Sequence, residues 1–139
     1  ERAMERAFEL RDRLTGEDRL TVEAEHYSDR DETAEKALEA YAKLRKFGPR
    51  WNNNYGILLS RLELYEESIE VLEEALMRDP FPGYWPYSNL AGSYLALGEF
   101  DKAHHVLEEF LRKEPNNHVG HQWLGLLFLE SGRFDDAQR

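Results

Sequence analysis

An internal repeat narrows the fold of this chain more than any other feature. Residues 52–80 read NNNYGILLSRLELYEESIEVLEEALMRDP, and 35 positions later residues 87–115 read YSNLAGSYLALGEFDKAHHVLEEFLRKEP. A further 34 positions on, residues 121–137 read HQWLGLLFLESGRFDDA. The same slots recur in each. A large apolar slot holds Tyr55, Leu90 and Leu124, and the next, which has to be small, holds Gly56, Ala91 and Gly125. Three residues on come Leu59, Tyr94 and Phe128, and a second small slot holds Ser68, Ala103 and Ala137. Pro80 and Pro115 each follow that slot by twelve residues, and Gly98 and Gly132 precede the second apolar segment of their units. A period in this range means stacked supersecondary units, each unable to bury its apolar face alone.

Small residues at fixed offsets let two helices of one unit approach closely. The aromatic slots fill the space between units, and the proline ends the second helix because it cannot continue the hydrogen-bond ladder. This pattern resembles the tetratricopeptide repeat, TPR, a helix–turn–helix unit of about 34 residues. The match runs across both helices of residues 49–139. It implies an all-α fold, an α-solenoid of TPR helix–turn–helix repeats forming a right-handed superhelix.

The N-terminal part matches less well. Ala37, Tyr41, Leu44 and Pro49 fit the second helix of a unit, but the helix before it, near 17–28, lacks the small slot, with Val22 and Glu25 near that place. Alternatively Ala34 and Leu38 set the register. The Ala37 register is preferred, with a slightly long turn at 28–33. The whole chain, 1–139, is expected to be one domain. It opens with a helix at 1–14, the tail of an upstream unit or a cap. A divergent repeat at 15–49, repeats at 50–82 and 83–117 and a truncated repeat at 118–139 follow. Helices are expected near 1–13, 17–28, 32–46, 51–64, 66–78, 86–97, 101–113, 118–131 and 134–139. The last falls early in a second helix, so the segment is expected to be cut from a longer protein. Leu124, Leu127 and Phe128 would then be partly uncovered and open to self-association.

The stretch PGYWPY, 82–87, carries unusual ring surface for a joint. Tyr87 falls in a large-residue slot and should be core, while Tyr84 is placed to pack against the preceding helix end. Trp85 either caps the joint against Phe81 or stands free as an aromatic anchor; tryptophan buries much area at little entropic cost. In TPR proteins the concave surface lined by first helices commonly binds an extended peptide or a partner helix. The resemblance, with helical spacing, then implies a groove of Arg50, Asn53, Ile57, Ser60 and Arg61 on one helix. Trp85, Ser88, Gly92, Leu95 and Ala96 follow on the next, and Val119, Gln122, Leu126, Leu129 and Glu130 on the last. Gly92 would leave room for a bulky side chain. Arg50, Arg61 and Asn53 could hold a terminal carboxylate, although the lysines some TPR proteins use for this are absent.

Net charge is −10, with 11 Lys/Arg against 13 Asp/Glu in residues 1–50 and 7 against 15 in residues 51–139. That sign disfavours nucleic acid, whose phosphates want a basic stripe, and favours basic or neutral partners. No window approaches the roughly 18 apolar residues of a membrane span. Signal and transit segments are not visible, and a cytoplasmic location is expected. With no cysteine, disulfides and thiolate chemistry are out. His118 and His121 share a helix face, and His104 and His105 are adjacent, but no further ligand completes a zinc tetrahedron. Glu66, Glu67, Glu70, Glu73 and Glu74 stripe a second helix and read as a solvated convex face or a docking patch for a basic partner. No glycine-rich phosphate loop or Ser/His/Asp set stands out. The reading is a non-enzymatic module for protein or peptide recognition, without cofactor or metal; the alternatives are a structural spacer or oligomerisation segment, or a metal-binding or enzyme-accessory domain.

The stretch LTGEDRLTVEAEHYSDRDETAEKALEAY, 14–41, resembles the segment that opens TPR arrays in bacterial multidomain signalling proteins. In those the array follows a serine/threonine kinase, a cyclase or a winged-helix regulator. The resemblance implies the sensory or scaffolding half of such a protein.

Overall fold

The fold is given by a computed structural model that describes residues 2–79 and 83–132. Among these are eight α-helices and no strand: α1 Arg2–Glu9, α2 Gly16–Ser28, α3 Ala34–Leu44, α4 Arg50–Arg61, α5 Tyr65–Arg78, α6 Tyr84–Ala96, α7 Phe100–Lys113 and α8 His118–Glu130. Short 3-10 turns at Arg11–Arg13, Asp31–Thr33 and Arg45–Phe47 flank the N-terminal helices. The expected helices near 1–13 and 32–46 are therefore shorter α-helices continued by 3-10 turns. The helix expected at 134–139, with Ala137, lies outside the described residues, as do Pro80, Phe81 and Pro82.

Helices pair in sequence, α2 with α3, α4 with α5, and α6 with α7. Each pair then packs on the next, and the first helices α4, α6 and α8 also adjoin one another. This is an all-α solenoid. Its interior follows the repeat slots. Ala37, Ser68 and Ala103 are wholly buried, and the slot four residues on, Tyr41, Leu72 and Leu107, is buried too. Full burial of a leucine contributes about 1.5–3 kcal/mol. Gly56 shows why its slot has to be small: a Cβ there would lie 2.6 Å from Leu72 Cγ. Tyr87 is core, as its slot requires, at 2% exposure.

In the first pair the small slot belongs to Ala24, wholly buried among Ala37, Ala40, Tyr41 and Leu44. The repeat period does not mark it, because Ala24 precedes Ala37 by thirteen residues, where Gly56 precedes Ser68 by twelve. The extra residue is absorbed in the 3-10 turn, where Thr33 Oγ1 donates to the Tyr27 carbonyl at 2.8 Å. Helix α1 docks on α2 through Phe8, whose ring stacks on His26 at 3.6 Å and meets Tyr27 edge-on.

Between the N-terminal and C-terminal core clusters lies a polar seam. Ser60 Oγ is 2.8 Å from Ser68 Oγ and 2.7 Å from Ser93 Oγ, and Ser68 donates to the Gly56 carbonyl at 2.9 Å. Buried hydroxyls are tolerable only with partners, and here each has one. Asn52, also fully buried, donates to the Val71 carbonyl at 3.3 Å.

The turns after α4, α6 and α8 each use a residue in the left-handed region, whereas the α2–α3 turn has none. Gly98 (φ 72°) and Gly132 (φ 75°) supply it in the later units, but Glu63 (φ 61°) takes the same place between α4 and α5. A side chain there costs about 1–2 kcal/mol, against about 0.4–1 kcal/mol for the greater unfolded-state freedom of glycine. Glu63→Gly is therefore expected to stabilise the chain by up to about 1.6 kcal/mol, read as a higher urea midpoint. A lower midpoint would show that Glu63 is not strained.

Candidate peptide-binding groove

The first helices α4, α6 and α8 carry the expected groove residues, and the structure sorts them into separate hollows. Near the N-terminal ends of α4 and α6, Arg50, Asn53 and Trp85 line one hollow of about 190 Å³ together with Pro49, Asp79 and Pro86. Pro86 sits in the first turn of α6, where its missing N–H has no intrahelical partner to lose. Gly83, φ 66°, turns the chain into that helix. Trp85 is 68% exposed. Its ring touches Tyr84 at 5.5 Å, and Tyr84 in turn packs on Phe110 of α7 at 5.4 Å. Tyr84 is thus committed to α7 rather than only to the preceding helix end. Burial pushes its hydroxyl pKa up.

Arg50 reaches back to α2, where its guanidinium donates to Glu17 while lying 4.7 Å over the Trp51 ring. Glu17 also accepts from Trp51 Nε1 at 2.8 Å. The Trp51 hydrogen bond and then that of Arg50 hold the Glu17 carboxyl below its usual range. The charge of Arg50 is therefore balanced, which weakens the carboxylate-holding reading. Asn53 Oδ1 accepts from Asn89 Nδ2 at 2.9 Å. Asn89 was missed because the residue at its expected groove position is Ser88. One residue further round the helix, Asn89 faces α4.

A second hollow, about 150 Å³, holds Ile57 and Arg61 with Ser28, Tyr41 and Asn54. Ile57 is 45% exposed. Above Gly92 a Cβ would meet nothing within 4 Å, so space is open there. Gln122 and Leu126 are exposed on α8, as is Leu129.

Three expected groove residues turn inward. Ser88 is buried and donates to the Trp85 carbonyl at 2.9 Å, pinning the first turn of α6. Ser60 is held in the serine seam. Leu95 is partly buried against the C-terminal core. Likewise, on α8, Leu127 is buried, while Leu124 and Phe128 are partly buried against the same core. The exposed leucines of that helix are Leu126 and Leu129.

The convex glutamate stripe is only partly solvated. Glu73 accepts from the Tyr94 hydroxyl at 2.5 Å. Burial first, then that bond, push the Tyr94 pKa up to about 12. Glu74 accepts from Arg45 and Arg78 and ties the 3-10 turn after α3 to α5. Burial alone would raise its pKa, but the two arginines outweigh that and lower it. The histidines point to local partners: His121 to the Pro115 carbonyl at 2.8 Å, and His104 to the Phe128 ring at 5.3 Å. Among the described residues no three His, Cys, Asp or Glu side chains gather as a metal set. No described helix is long and apolar enough to cross a membrane.

Paired helices stacked in register, with an open face on the first helices, define a helical-repeat protein. The chain belongs to the tetratricopeptide repeat family, whose model matches residues 30–84 and 89–138. Repeats of this family generally mediate protein–protein interaction and scaffolding. Among solved structures, the chain is similar to the nearly identical TPR-like repeats of a Podospora anserina protein assigned as a kinesin light chain. The TM-score is 0.76 at 16% identity, over 97% of this chain and 82% of that one. At that identity the likeness shows the fold alone. No curated protein matches the chain.

Proposed function

We propose that the chain recognises an extended peptide or helix of a partner protein on its first-helix face, with Trp85 as the aromatic anchor. The observation that carries this reading is the 68% exposure of Trp85 beside a hollow shared with Arg50 and Asn53. An indole left in water next to polar side chains that can fix a backbone has the makeup of a binding hot spot. Its neighbour Tyr84 is anchored on the core, so the ring is partly pre-positioned. Apolar burial supplies affinity and the polar groups set register. The 14–41 stretch supports placing the module in a cytoplasmic signalling protein, as a scaffold beside a catalytic or DNA-binding domain. The exposure of Leu126 and Leu129 favours a second reading, self-association through α8.

Selection from a displayed library of random peptides tests the recognition reading. It should enrich one motif, and Trp85→Ala should weaken its binding at least about ten-fold, or about 1.4 kcal/mol, with the helical circular dichroism unchanged. An enriched motif indifferent to Trp85→Ala, or no enrichment at all, would remove the groove as the site.

A further inference from the structure

A larger hollow, about 620 Å³, lies away from the first-helix face, between the second helices α5 and α7. Its floor is apolar, made by Leu76, Leu90, Tyr94 and Val106. Met77 stands at its edge with 79% of its surface in water, more than any other large apolar side chain among the described residues. The rim is acidic. Glu73 comes from α5, Asp101 and Glu109 from α7. By helical spacing Glu66 and Glu70, both exposed, continue the α5 edge ahead of Glu73 and Met77. Two cationic or titratable groups also face the hollow, and one of them is engaged. Lys102 pairs with Glu99 at 3.3 Å and lies over the Tyr94 ring at 5.6 Å, while His105 is exposed.

An apolar floor, a flexible thioether and a carboxylate rim occur together in a chain of net charge −10. Methionine adapts to varied apolar shapes. A carboxylate rim attracts basic segments and rejects acidic ones and phosphates. The geometry points to a second docking surface, on the α5–α7 face, for a protein segment that inserts a bulky apolar side chain flanked by Lys or Arg. Its lining residues are distinct from those of the Trp85 hollow, so both surfaces can be occupied at once and the two readings stand or fall separately.

The test uses the whole chain labelled with ¹³C at its methionine methyls. There are two methionines, Met4 in α1 and Met77 in α5, so each reports one location. The probe is a synthetic helical peptide of about 14 residues, which spans about 21 Å, the length of α5. It carries leucines along one face and lysines elsewhere; its counterpart has every lysine replaced by glutamate. The lysine peptide should shift the Met77 methyl signal and leave Met4 in place, and added salt should weaken it. The double variant Glu70→Lys/Asp101→Lys should weaken it at least ten-fold; both positions are exposed, and circular dichroism checks the fold. Persistence of this binding in Trp85→Ala separates the surface from the first-helix groove. A Met77 signal indifferent to the lysine peptide would overturn the proposal. So would equal binding of the glutamate counterpart, or binding that disappears with Trp85→Ala.

Discussion

Phe110→Ala is expected to cost about 3–5 kcal/mol of folding stability, the range for deleting a buried phenylalanine side chain. Phe110 is 1% exposed and joins three helices. Its ring meets Tyr84 at 5.4 Å and Tyr87 at 5.3 Å, both on α6, while a Cβ on Gly120 of α8 would lie 3.0 Å from it. In the preceding unit Ala75 occupies the same slot and in the first unit Leu44, so among the described residues no other ring makes this tie. Small domains are stable by only about 5–15 kcal/mol. The loss should therefore lower the urea midpoint sharply. It should also be local, because repeats interact only with their neighbours. Amide hydrogen exchange should accelerate most in α6, α7 and α8 and least in α2 and α3. A loss below about 1 kcal/mol, or uniform acceleration, would show that the ring is not the tie between the last units.

Much of this architecture could be read before any coordinates, for a steric reason. Where helices approach closely the side chain has to be small, and Gly56, Ser68, Ala91 and Ala103 announce those points at a fixed period. Ala24 was illegible because one extra turn residue moved it off the period, and a period cannot anticipate where a loop absorbs a residue. Glu63 was illegible for the opposite reason. Glycine marks the left-handed turn at Gly98 and Gly132, but the earlier unit forces a glutamate into it.

The candidate site was less legible than the fold. Helical spacing places a residue by angle and says nothing of what the neighbouring helix brings to that angle. Arg50, Asn53 and Trp85 meet in one hollow. Ser60, at an equally suitable angle, is captured by Ser93 from the next unit, and Ser88 bonds back to its own first turn. The α5–α7 hollow could not be read at all. It is a gap between two second helices, and its size depends on the offset between units rather than on any residue type.

The close approach of α4 and α5 is the feature on which the stacking geometry most depends, and a double-mutant cycle isolates it. Gly56→Ala alone should gain about 1 kcal/mol of helix propensity. Its new Cβ, however, would lie 2.6 Å from Cγ and 2.8 Å from Cδ2 of Leu72. Leu72 is wholly buried and has little room to yield, so an overpacking cost of about 1–3 kcal/mol wins and the variant is destabilised. Leu72→Ala alone should cost about 2–5 kcal/mol through lost burial and an unfilled cavity. In the double variant the Gly56→Ala methyl enters the space that Leu72 has left. The clash vanishes while the propensity gain remains, so the double variant should be more stable than Leu72→Ala alone. The coupling should be about 1–3 kcal/mol, the range for residues in direct contact. Urea denaturation of the four proteins measures it. Additivity within about 0.5 kcal/mol would mean that the Gly56 slot is kept small by something other than Leu72. The Ser68 hydroxyl, which donates to the Gly56 carbonyl at 2.9 Å, would then be the remaining constraint on how near the two helices lie.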